Sequence, residues 1–284
     1  LFYPIQYEGQ ECSKNIFYSG ATPNQQAEPA VDWLLKNKGK DFFLVGSDYV
    51  YPRTANTIMK EQLKAKGGKL VGEDYLPLGN TEVAPIIAKI KQALPKGGVI
   101  VNTLNGDSNV AFFKQMKAAG ITPANGYSIM SFSIAEEEIA AIGPEYLEGT
   151  FAAWNYFQSV KSPENDAFIK QWKKFAGPKR VTNDPMEATY IGINMWKQAV
   201  EKAKSTDTDK VIAAMAGQTF KAPSGITSKM DEKNHHLHKS VFIGEIKADG
   251  QFNVVWKTPG PVKAKPWSPF IPGNDVKPDE PAKK

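Results

Sequence analysis

The feature that most constrains the fold is a regular alternation of short apolar runs with amphipathic segments between residues 41 and 156. Each apolar run has the length and composition typical of a buried parallel strand. The segments between the runs carry apolar residues at helical spacing, and glycines end several of them. Strands are expected at 41–46, 70–76, 98–103, 127–132 and 149–156, and helices at 54–66, 82–93, 109–119 and 136–142. This order predicts a doubly wound α/β lobe with a parallel sheet.

The pattern changes after residue 156. Amphipathic segments now follow one another without an intervening strand, which predicts helices at 163–175, 185–203 and 209–215. Residues 240–246 and 251–256 read as two strands, and Asp249-Gly250 between them is a hairpin turn signal. We expect this hairpin to return to the parallel sheet.

A length of 284 residues fits about two domains. The opening segment holds one strand and one helix (25–36), too little to stand alone, so we expect it to pair with the later helices. The expected first lobe comprises 1–37 and 157–217, the second 38–156 and 218–265, and a proline-rich strap and tail 266–284. Two lobes joined by several crossings predict a cleft at the carboxyl ends of parallel strands. The sequence begins at Leu1 with an expected strand and shows neither an initiating Met nor a signal-peptide pattern. We therefore expect the first lobe to be incomplete at its N-terminus.

Charge and composition argue against several classes of function. Lysine and arginine total 35 against 30 acidic residues, and only Arg53 and Arg180 are arginines. Proteins that read nucleic acids usually depend on arginine, and the scattered lysines are typical of a solvated surface, so no nucleic-acid partner is expected. No apolar run approaches the roughly 18 residues of a membrane span, so we expect no membrane insertion. The single cysteine, Cys12, excludes an internal disulfide.

No catalytic or cofactor motif is present in the sequence. It contains neither the G-x-S-x-G nucleophile elbow nor the glycine-rich phosphate-binding patterns, so we expect no enzyme and no cofactor. Glu136, Glu137 and Glu138 are typical of the start of a helix. His236 and His238 would share a face of a strand and could chelate a metal, but a third ligand is not evident in the sequence. We therefore interpret them as packing or surface residues and expect no metal site.

Aromatic, hydroxyl and amide side chains instead gather where the expected strands end. These clusters lie at residues 3–7, 47–52, 102–107, 131–133 and 154–157. They offer hydrogen bonds and flat apolar walls without a nucleophile and base pair. This combination predicts a site that binds a small polar ligand.

Several of these segments resemble a known family of binding proteins. The segments 7–9, 15–18, 20–25 and 46–53 resemble the urea and short-chain-amide binding proteins, and 183–188 and 234–239 resemble the urea branch in particular. That branch belongs to the type I periplasmic binding proteins, relatives of the branched-chain amino-acid binders of ABC transporters. The resemblance covers essentially the whole chain. It implies two Rossmann-like lobes, an exported periplasmic or cell-surface protein, an ABC permease as partner, and capture of urea or a short-chain amide by lobe closure without catalysis.

The resemblance also implies a set of ligand-binding residues. These are Tyr3, Gln6 and Tyr7 on the first lobe and Tyr49, Tyr51, Asn105 and Ser133 on the second. Ile5 and Gln6 depart from the threonine and proline of amide-sensor relatives, which argues against amide sensing and is compatible with urea. Two alternatives stay open: a branched-chain amino-acid binder and a cytosolic amide sensor that controls a regulator. An acid stands near the position of Ser133 in the amino-acid binders, so Ser133 favours a neutral ligand, although Glu136 lies close enough to hold an ammonium group.

Overall fold

The computed structural model describes residues 1–281, and an α/β architecture runs through them. The strands are β1 (Phe2–Tyr3), β2 (Phe17–Tyr18), β3 (Asp41–Ser47), β4 (Lys69–Leu76), β5 (Gly98–Thr103), β6 (Tyr127–Ser131), β7 (Phe151–Trp154), β8 (Thr219–Lys221), β9 (Thr227–Met230), β10 (Leu237–His238), β11 (Phe242–Ile246) and β12 (Phe252–Lys257). The helices are α1 (Ala27–Asn37), α2 (Val50–Lys66), α3 (Ala84–Ala93), α4 (Ser108–Ala118), α5 (Glu136–Ile142), α6 (Pro163–Ala176), α7 (Asp184–Ala203) and α8 (Thr208–Met215).

The chain divides into two compact units. The first unit combines residues 1–25, 154–242 and 257–284, and the second combines 26–153 and 243–256. These divisions differ from the expected lobes at four places. The structure groups 26–37 with the second unit, and it groups 154–156, 218–242 and 257–265 with the first.

The second unit is built on a seven-stranded sheet with the order β12-β11-β7-β6-β5-β3-β4. The five strands from β7 to β4 are parallel, which confirms the predicted doubly wound sheet. The expected hairpin of β11 and β12 does return to this sheet. Helix α1 buries Val31 and Leu34 in the same core as Phe42 and Leu44 of β3, and this packing explains why 26–37 belong to the second unit.

The first unit contains two smaller sheets. Strands β1 and β2 pair in parallel, and β8, β9 and β10 form an antiparallel sheet. Met230 of β9 and Leu237 of β10 share one apolar core with Ile191 and Met195 of α7. The antiparallel sheet therefore buries its apolar side chains with α7, which is why 218–242 group with the first unit.

Side-chain caps define where the long helices begin. The hydroxyl of Ser162 accepts a hydrogen bond from the Asn165 N–H at 3.0 Å, and the Asn183 side chain accepts one from Met186 N–H at 3.2 Å. Both residues satisfy N–H groups that the first helical turn leaves without a partner. The starts of α6 and α7 therefore have fixed positions, which matters for the acidic residues at the N-terminus of α7.

The C-terminal strap is tied to the first unit as far as residue 279. Asp279 accepts a hydrogen bond from Asn234 Nδ2 at 2.7 Å and pairs with Lys263 at 2.7 Å. Trp267 Nε1 donates to the carbonyl of Pro278 at 3.0 Å. The strap predicted from the proline content is thus held by side-chain contacts, while the last three residues of the expected tail, 282–284, lie outside the described residues.

Candidate functional site

The parallel sheet of the second unit contains a topological switch point between β3 and β5. From β3 the chain passes to β4, which pairs with one side of β3, and then crosses to β5, which pairs with the other side of β3. The loops that follow β3 and β5 consequently diverge at their carboxyl ends, where doubly wound sheets bind ligands. Tyr49 and Asn105 lie in or at the end of these two loops.

Hydrogen bonds join the two loops at the switch point. The hydroxyl of Ser47, the last residue of β3, accepts a hydrogen bond from the Asn105 N–H at 2.9 Å. Asn105 Nδ2 donates to the carbonyl of Thr103 at 3.3 Å, and the buried Asn102 side chain accepts from the Leu104 N–H at 2.9 Å. The loop after β5 therefore has a defined shape, with Asn105 only half-buried at its edge.

The two tyrosines after β3 have different environments. Tyr49 precedes the first turn of α2 and is 37% exposed, whereas Tyr51 is 7% exposed and belongs to the core of the second unit. Their ring centroids are 6.4 Å apart. The ring of Tyr49 is therefore accessible to a ligand, while the ring of Tyr51 packs mainly against the core of the second unit.

Gln26 links the tyrosine cluster to the neighbouring strands. The Tyr51 hydroxyl donates to Gln26 Oε1 at 3.5 Å, and Gln26 Nε2 donates to the carbonyls of Phe132 at 3.1 Å and Ala153 at 2.8 Å. This buried amide thus holds the ends of β6 and β7 beside Tyr51. Gln26 was not among the predicted residues, although an amide pair, Gln25-Gln26, directly ahead of a helix was visible in the sequence.

Ser133 lies in the loop between β6 and α5 and is half-buried. The loop is closed by Glu138, whose carboxylate accepts a hydrogen bond from the Ala135 N–H at 2.9 Å, which confirms that the acidic run opens a helix. Burial raises the pKa of Glu138, and its own hydrogen bonds to backbone N–H groups oppose that rise. Glu136, three residues after Ser133, is 1% exposed.

A basic side chain in the first turn of α2, Arg53, is already paired. Arg53 Nε donates to Asp48 Oδ1 at 2.6 Å, and the guanidinium lies over the Tyr75 ring at 4.1 Å. The hydrogen bond from Arg53 lowers the pKa of Asp48. The arrangement therefore offers hydroxyl, amide and aromatic groups together with an ion pair whose charges balance.

Three further predicted residues lie near the start of the first unit. Tyr3 of β1 is 38% exposed, and its carbonyl accepts hydrogen bonds from the N–H groups of Ser19 at 2.9 Å and Gly20 at 3.0 Å. A Cβ on Gly20 would overlap the carbonyl oxygen of Ile5, so this position needs glycine for the close approach of two backbones. Gln6 is buried.

Tyr7 is 7% exposed and its hydroxyl lies 2.6 Å from His236 Nε2. The other ring nitrogen, Nδ1, lies 2.5 Å from the carbonyl of Asn234, which can only accept, so Nδ1 carries the proton. Burial lowers the pKa of His236 to about 4. The imidazole is therefore neutral at pH 7, and Nε2 accepts the hydrogen bond that Tyr7 donates.

Two acidic side chains, Glu8 and Glu11, act on Tyr3 in the first unit. The Tyr3 and Tyr7 ring centroids are 5.8 Å apart. The pKa of Tyr3 is raised by its own burial and then by the charges of Glu8 and Glu11. The negative charges of Glu8 and Glu11 therefore disfavour a negatively charged group beside the Tyr3 hydroxyl.

The structure thus forms two groups from the seven predicted residues. Tyr3 and Tyr7 are in ring contact within the first unit, with Gln6 between them in sequence, and Tyr49 and Tyr51 are in ring contact within the second. Asn105 and Ser133 follow the neighbouring strands β5 and β6 of the second unit. None of the seven lines either of two surface cavities of about 290 and 400 Å³, which lie elsewhere on the two units.

The histidine cluster is structural in the described part of the chain. His236 stacks on Tyr18 with ring centroids 4.1 Å apart, and His238 Nε2 lies 3.0 Å from Asp231 Oδ2. Among residues 1–281 no group of three or more histidine, cysteine or acidic side chains is arranged to hold a metal ion.

None of the helices in that same range has the length and apolar character that a membrane crossing requires.

Comparison with known sequences finds a family that matches nearly the whole chain. The family described as a periplasmic binding protein domain matches residues 1–273. The Leu/Ile/Val-binding protein homolog 6 of Brucella melitensis is 25% identical over 240 residues, which cover 84% of this chain and 61% of that protein. A limonene hydroxylase of Geobacillus stearothermophilus is 39% identical over 125 residues, 44% of this chain. The chain spans only 23% of that protein's length.

Solved structures show the same fold. The solute binding protein of an ABC transporter from Rhodopseudomonas palustris BisB5, in complex with 3,4-dihydroxy benzoic acid, superposes with a TM-score of 0.77 at 25% identity. The match covers 87% of this chain and 68% of that one. A solute binding protein from R. palustris in complex with 4-hydroxybenzoate superposes with a TM-score of 0.75 at 26% identity, over 86% of this chain and 67% of that one.

Proposed function

The chain belongs to the periplasmic binding protein domain family, and from this premise we propose that it is the solute-binding component of an ABC importer and that its ligand is urea or a short-chain amide. The protein acts outside the cytoplasmic membrane in this proposal, delivers its ligand to a permease and carries out no reaction. Capture by lobe closure, expected from the sequence, stays a prediction.

The single observation that carries the proposal is the chemistry at the switch point of the second unit. Tyr49, Asn105 and Ser133 supply an aromatic face, an amide and a hydroxyl at the ends of strands β3, β5 and β6. Urea presents one carbonyl acceptor and several N–H donors, and each such group that is buried without a partner costs about 1–3 kcal/mol. Side chains that both donate and accept hydrogen bonds suit that ligand.

Charge supports a neutral ligand over a carboxylate. Proteins bind carboxylates most strongly with arginine or lysine, and Arg53 at the switch point is engaged by Asp48 at 2.6 Å. In the first unit, burial raises the pKa of Tyr3, and the negative charges of Glu8 and Glu11 raise it further. A benzoate, as bound by the R. palustris proteins, would meet repulsion there.

A branched-chain amino acid is the second candidate. Glu136 is 1% exposed and is the first residue of α5, three residues after Ser133. A buried carboxylate is a favourable partner for the ammonium group of an amino acid. The Brucella relative is named for leucine, isoleucine and valine, which is in line with this alternative.

Isothermal titration with urea, acetamide, leucine and 3,4-dihydroxybenzoate tests the proposal. At about −1.5 kcal/mol per heavy atom, urea is limited to about −6 kcal/mol, which corresponds to a Kd of roughly tens of micromolar. Saturable binding of urea or acetamide in that range supports the proposal. Leucine binding would replace it with the second candidate, and dihydroxybenzoate binding would contradict the argument from charge.

A parallel assay for released ammonia tests the absence of catalysis. We expect no ammonia from urea or acetamide above the protein-free control. Sustained release that depends on protein concentration would overturn the binding-only function.

A further inference from the structure

The first unit encloses a cluster of charged side chains that the binding site does not use. Asp184 and Glu187 lie in the first turn of α7, and Lys239 lies in the segment between β10 and β11. They are 1%, 0% and 3% exposed. Two acids and one base are thus removed from water together, and a buried charge without a counter-charge is costly.

Each carboxylate of the cluster anchors a different part of the chain. Asp184 Oδ2 accepts a hydrogen bond from the Asn155 N–H at 2.8 Å, and Glu187 Oε1 accepts one from the Ser224 N–H at 2.6 Å. Lys239 Nζ lies 3.8 Å from Asp184 Oδ2 and donates to the carbonyl of Ser19 at 3.0 Å. Asp184 is therefore the acid in ionic contact with Lys239.

The remaining oxygens of both acids need donors. Within residues 1–281, Asp184 Oδ1 and Glu187 Oε2 are buried without a hydrogen-bond partner. The same is true of Asn155 Oδ1 and Ser240 Oγ, whose residues are joined to Asp184 by hydrogen bonds through Asn155. Three of these four atoms are pure acceptors. A proton on one carboxylate would turn an acceptor into a donor and cancel the excess negative charge.

We propose that Asp184 and Glu187 hold one proton between them opposite Lys239, and that this proton-binding site keeps the segments of Asn155 and Ser224 attached to α7. Residues three apart on a helix are neighbours, so the two carboxylates can share the proton. Glu187 is its main location, because Asp184 has the contact with Lys239. The site is independent of the ligand proposed above.

The electrostatics of the two acids agree with one shared proton. Burial raises the pKa of Asp184, and Lys239 and the backbone N–H of Asn155 oppose that rise. Burial raises the pKa of Glu187 to about 7, Lys239 opposes that rise, and the charge of Asp184 adds to it. These are the charged groups acting on Glu187, one from the segment ahead of β11 and one from its own helix. The loop between β8 and β9 contributes the Ser224 N–H.

The location gives the proton a structural consequence. Asn155 Nδ2 donates to the carbonyls of Gln25 and Ser240, both at 2.9 Å. Asp184 thus holds a residue that itself fastens two other segments of the first unit. Loss of the proton leaves the cluster with a net negative charge beside this junction and weakens the first unit.

Infrared difference spectroscopy of the intact protein tests the proposal. A protonated carboxylic acid has a C=O stretch that an ionised one lacks. We expect this band in the wild type at about pH 6, and we expect it to disappear with a midpoint of about pH 7. Labelling with ¹³C-glutamate should shift the band, which assigns it to glutamate without any variant.

Variants locate the band on Glu187. Glu187→Gln should remove it, whereas Glu201→Gln, at an exposed position on the same helix, should leave it unchanged. Asp184→Asn should lower the midpoint of the remaining titration, because the charge of Asp184 raises the pKa of Glu187. The proposal is overturned if the wild type lacks the band throughout about pH 5–9, or if ¹³C-glutamate fails to shift it.

Discussion

The hydroxyl of Tyr7 donates a 2.6 Å hydrogen bond to Nε2 of His236, 229 residues later in the sequence. Tyr7 is a predicted ligand-binding residue, and His236 belongs to the histidine cluster that was weighed as a metal site. The hydrogen bond gives both residues a structural task in the first unit. It also makes the stability of that unit depend on the protonation of one imidazole.

His236→Gln should remove part of the acid sensitivity of folding. The pKa of His236 is lowered to about 4 in the folded protein, against about 6.5 in an unfolded chain. The folded state binds fewer protons between these values, so the imidazole's contribution is present above about pH 6.5 and lost as pH falls to about 4. We expect the stability difference between wild type and variant to shrink over that window by about 3 kcal/mol.

Guanidinium chloride denaturation at a series of pH values measures this difference, since urea is the proposed ligand. Tyr7→Phe is the matched control. It keeps the imidazole and should retain the acid dependence, while it loses about 1 kcal/mol or more at neutral pH through the unpaired Nε2. An unchanged pH profile in His236→Gln would show that the imidazole does not carry the effect.

Tyr49→Ala should weaken binding of the neutral ligand at least about tenfold, a loss of about 1.4 kcal/mol. Tyr49 is 37% exposed beside the switch point, so its truncation removes an aromatic wall without opening the core. Titration calorimetry measures the affinity and thermal unfolding checks the fold. Val50→Ala, at an adjacent position that is 61% exposed, should change neither. Equal affinities for wild type and Tyr49→Ala would remove Tyr49 from the site.

Tyr51→Phe separates contact with the ligand from packing. The ring belongs to the core, so the phenylalanine variant keeps its packing and loses only the hydroxyl that donates to Gln26. We expect a modest loss of affinity, severalfold, because Gln26 loses one of the contacts that position it. Calorimetry on the same preparation checks this, and a loss as large as that of Tyr49→Ala would mean that the hydroxyl contacts the ligand directly.

Ser133→Asp should lower the affinity for urea or acetamide. The serine is half-buried, and an aspartate there would face a neutral ligand with an unpaired charge. Ser133→Ala is the control and should lose only the hydrogen bond, about 1 kcal/mol. If the aspartate variant binds as well as the wild type, Ser133 lies outside the site. If it gains affinity for leucine, the amino-acid alternative becomes the better description.

Gly20→Ala should destabilise the first unit by more than about 3 kcal/mol, because its Cβ would overlap the carbonyl oxygen of Ile5. Gly79→Ala is the comparison. Gly79 has a φ of +79° with open space around it, so alanine there costs only about 1 kcal/mol of backbone strain. Chemical denaturation with guanidinium ranks the two variants. A smaller loss for Gly20→Ala than for Gly79→Ala would contradict the close approach of the two backbones.

The parallel sheet could be predicted because its strands are buried on both faces and therefore form continuous apolar runs. Residues 98–103 are such a run, and the structure has β5 at Gly98–Thr103. Phe42 to Leu44 of β3 are likewise buried. Tyr49 and Asn105 could be expected to follow strand ends for the same reason, and their role in binding, which the resemblance implies, stays a prediction.

The sheet of β8, β9 and β10 could not be predicted in the same way. Its strands have two to four residues, and Thr219–Lys221 is exposed at both ends. Their apolar side chains share a core with α7, and such packing is not evident from a pattern within two to four residues. The structural role of Gln26 was also missed, because an amide's burial depends on partners that no local pattern reveals. Asn155 belongs to the predicted cluster 154–157, but the structure buries its side chain in hydrogen bonds to the carbonyls of Gln25 and Ser240.

The division of the second unit into 26–153 and 243–256 has a consequence for biosynthesis. Strand β7 neighbours β11, which arrives about ninety residues later in the chain. A nascent chain that has emerged only as far as β7 has one edge of its sheet uncovered, and an uncovered edge invites pairing with other chains. The second unit therefore completes its sheet only after β12, which ends at Lys257, has left the ribosome.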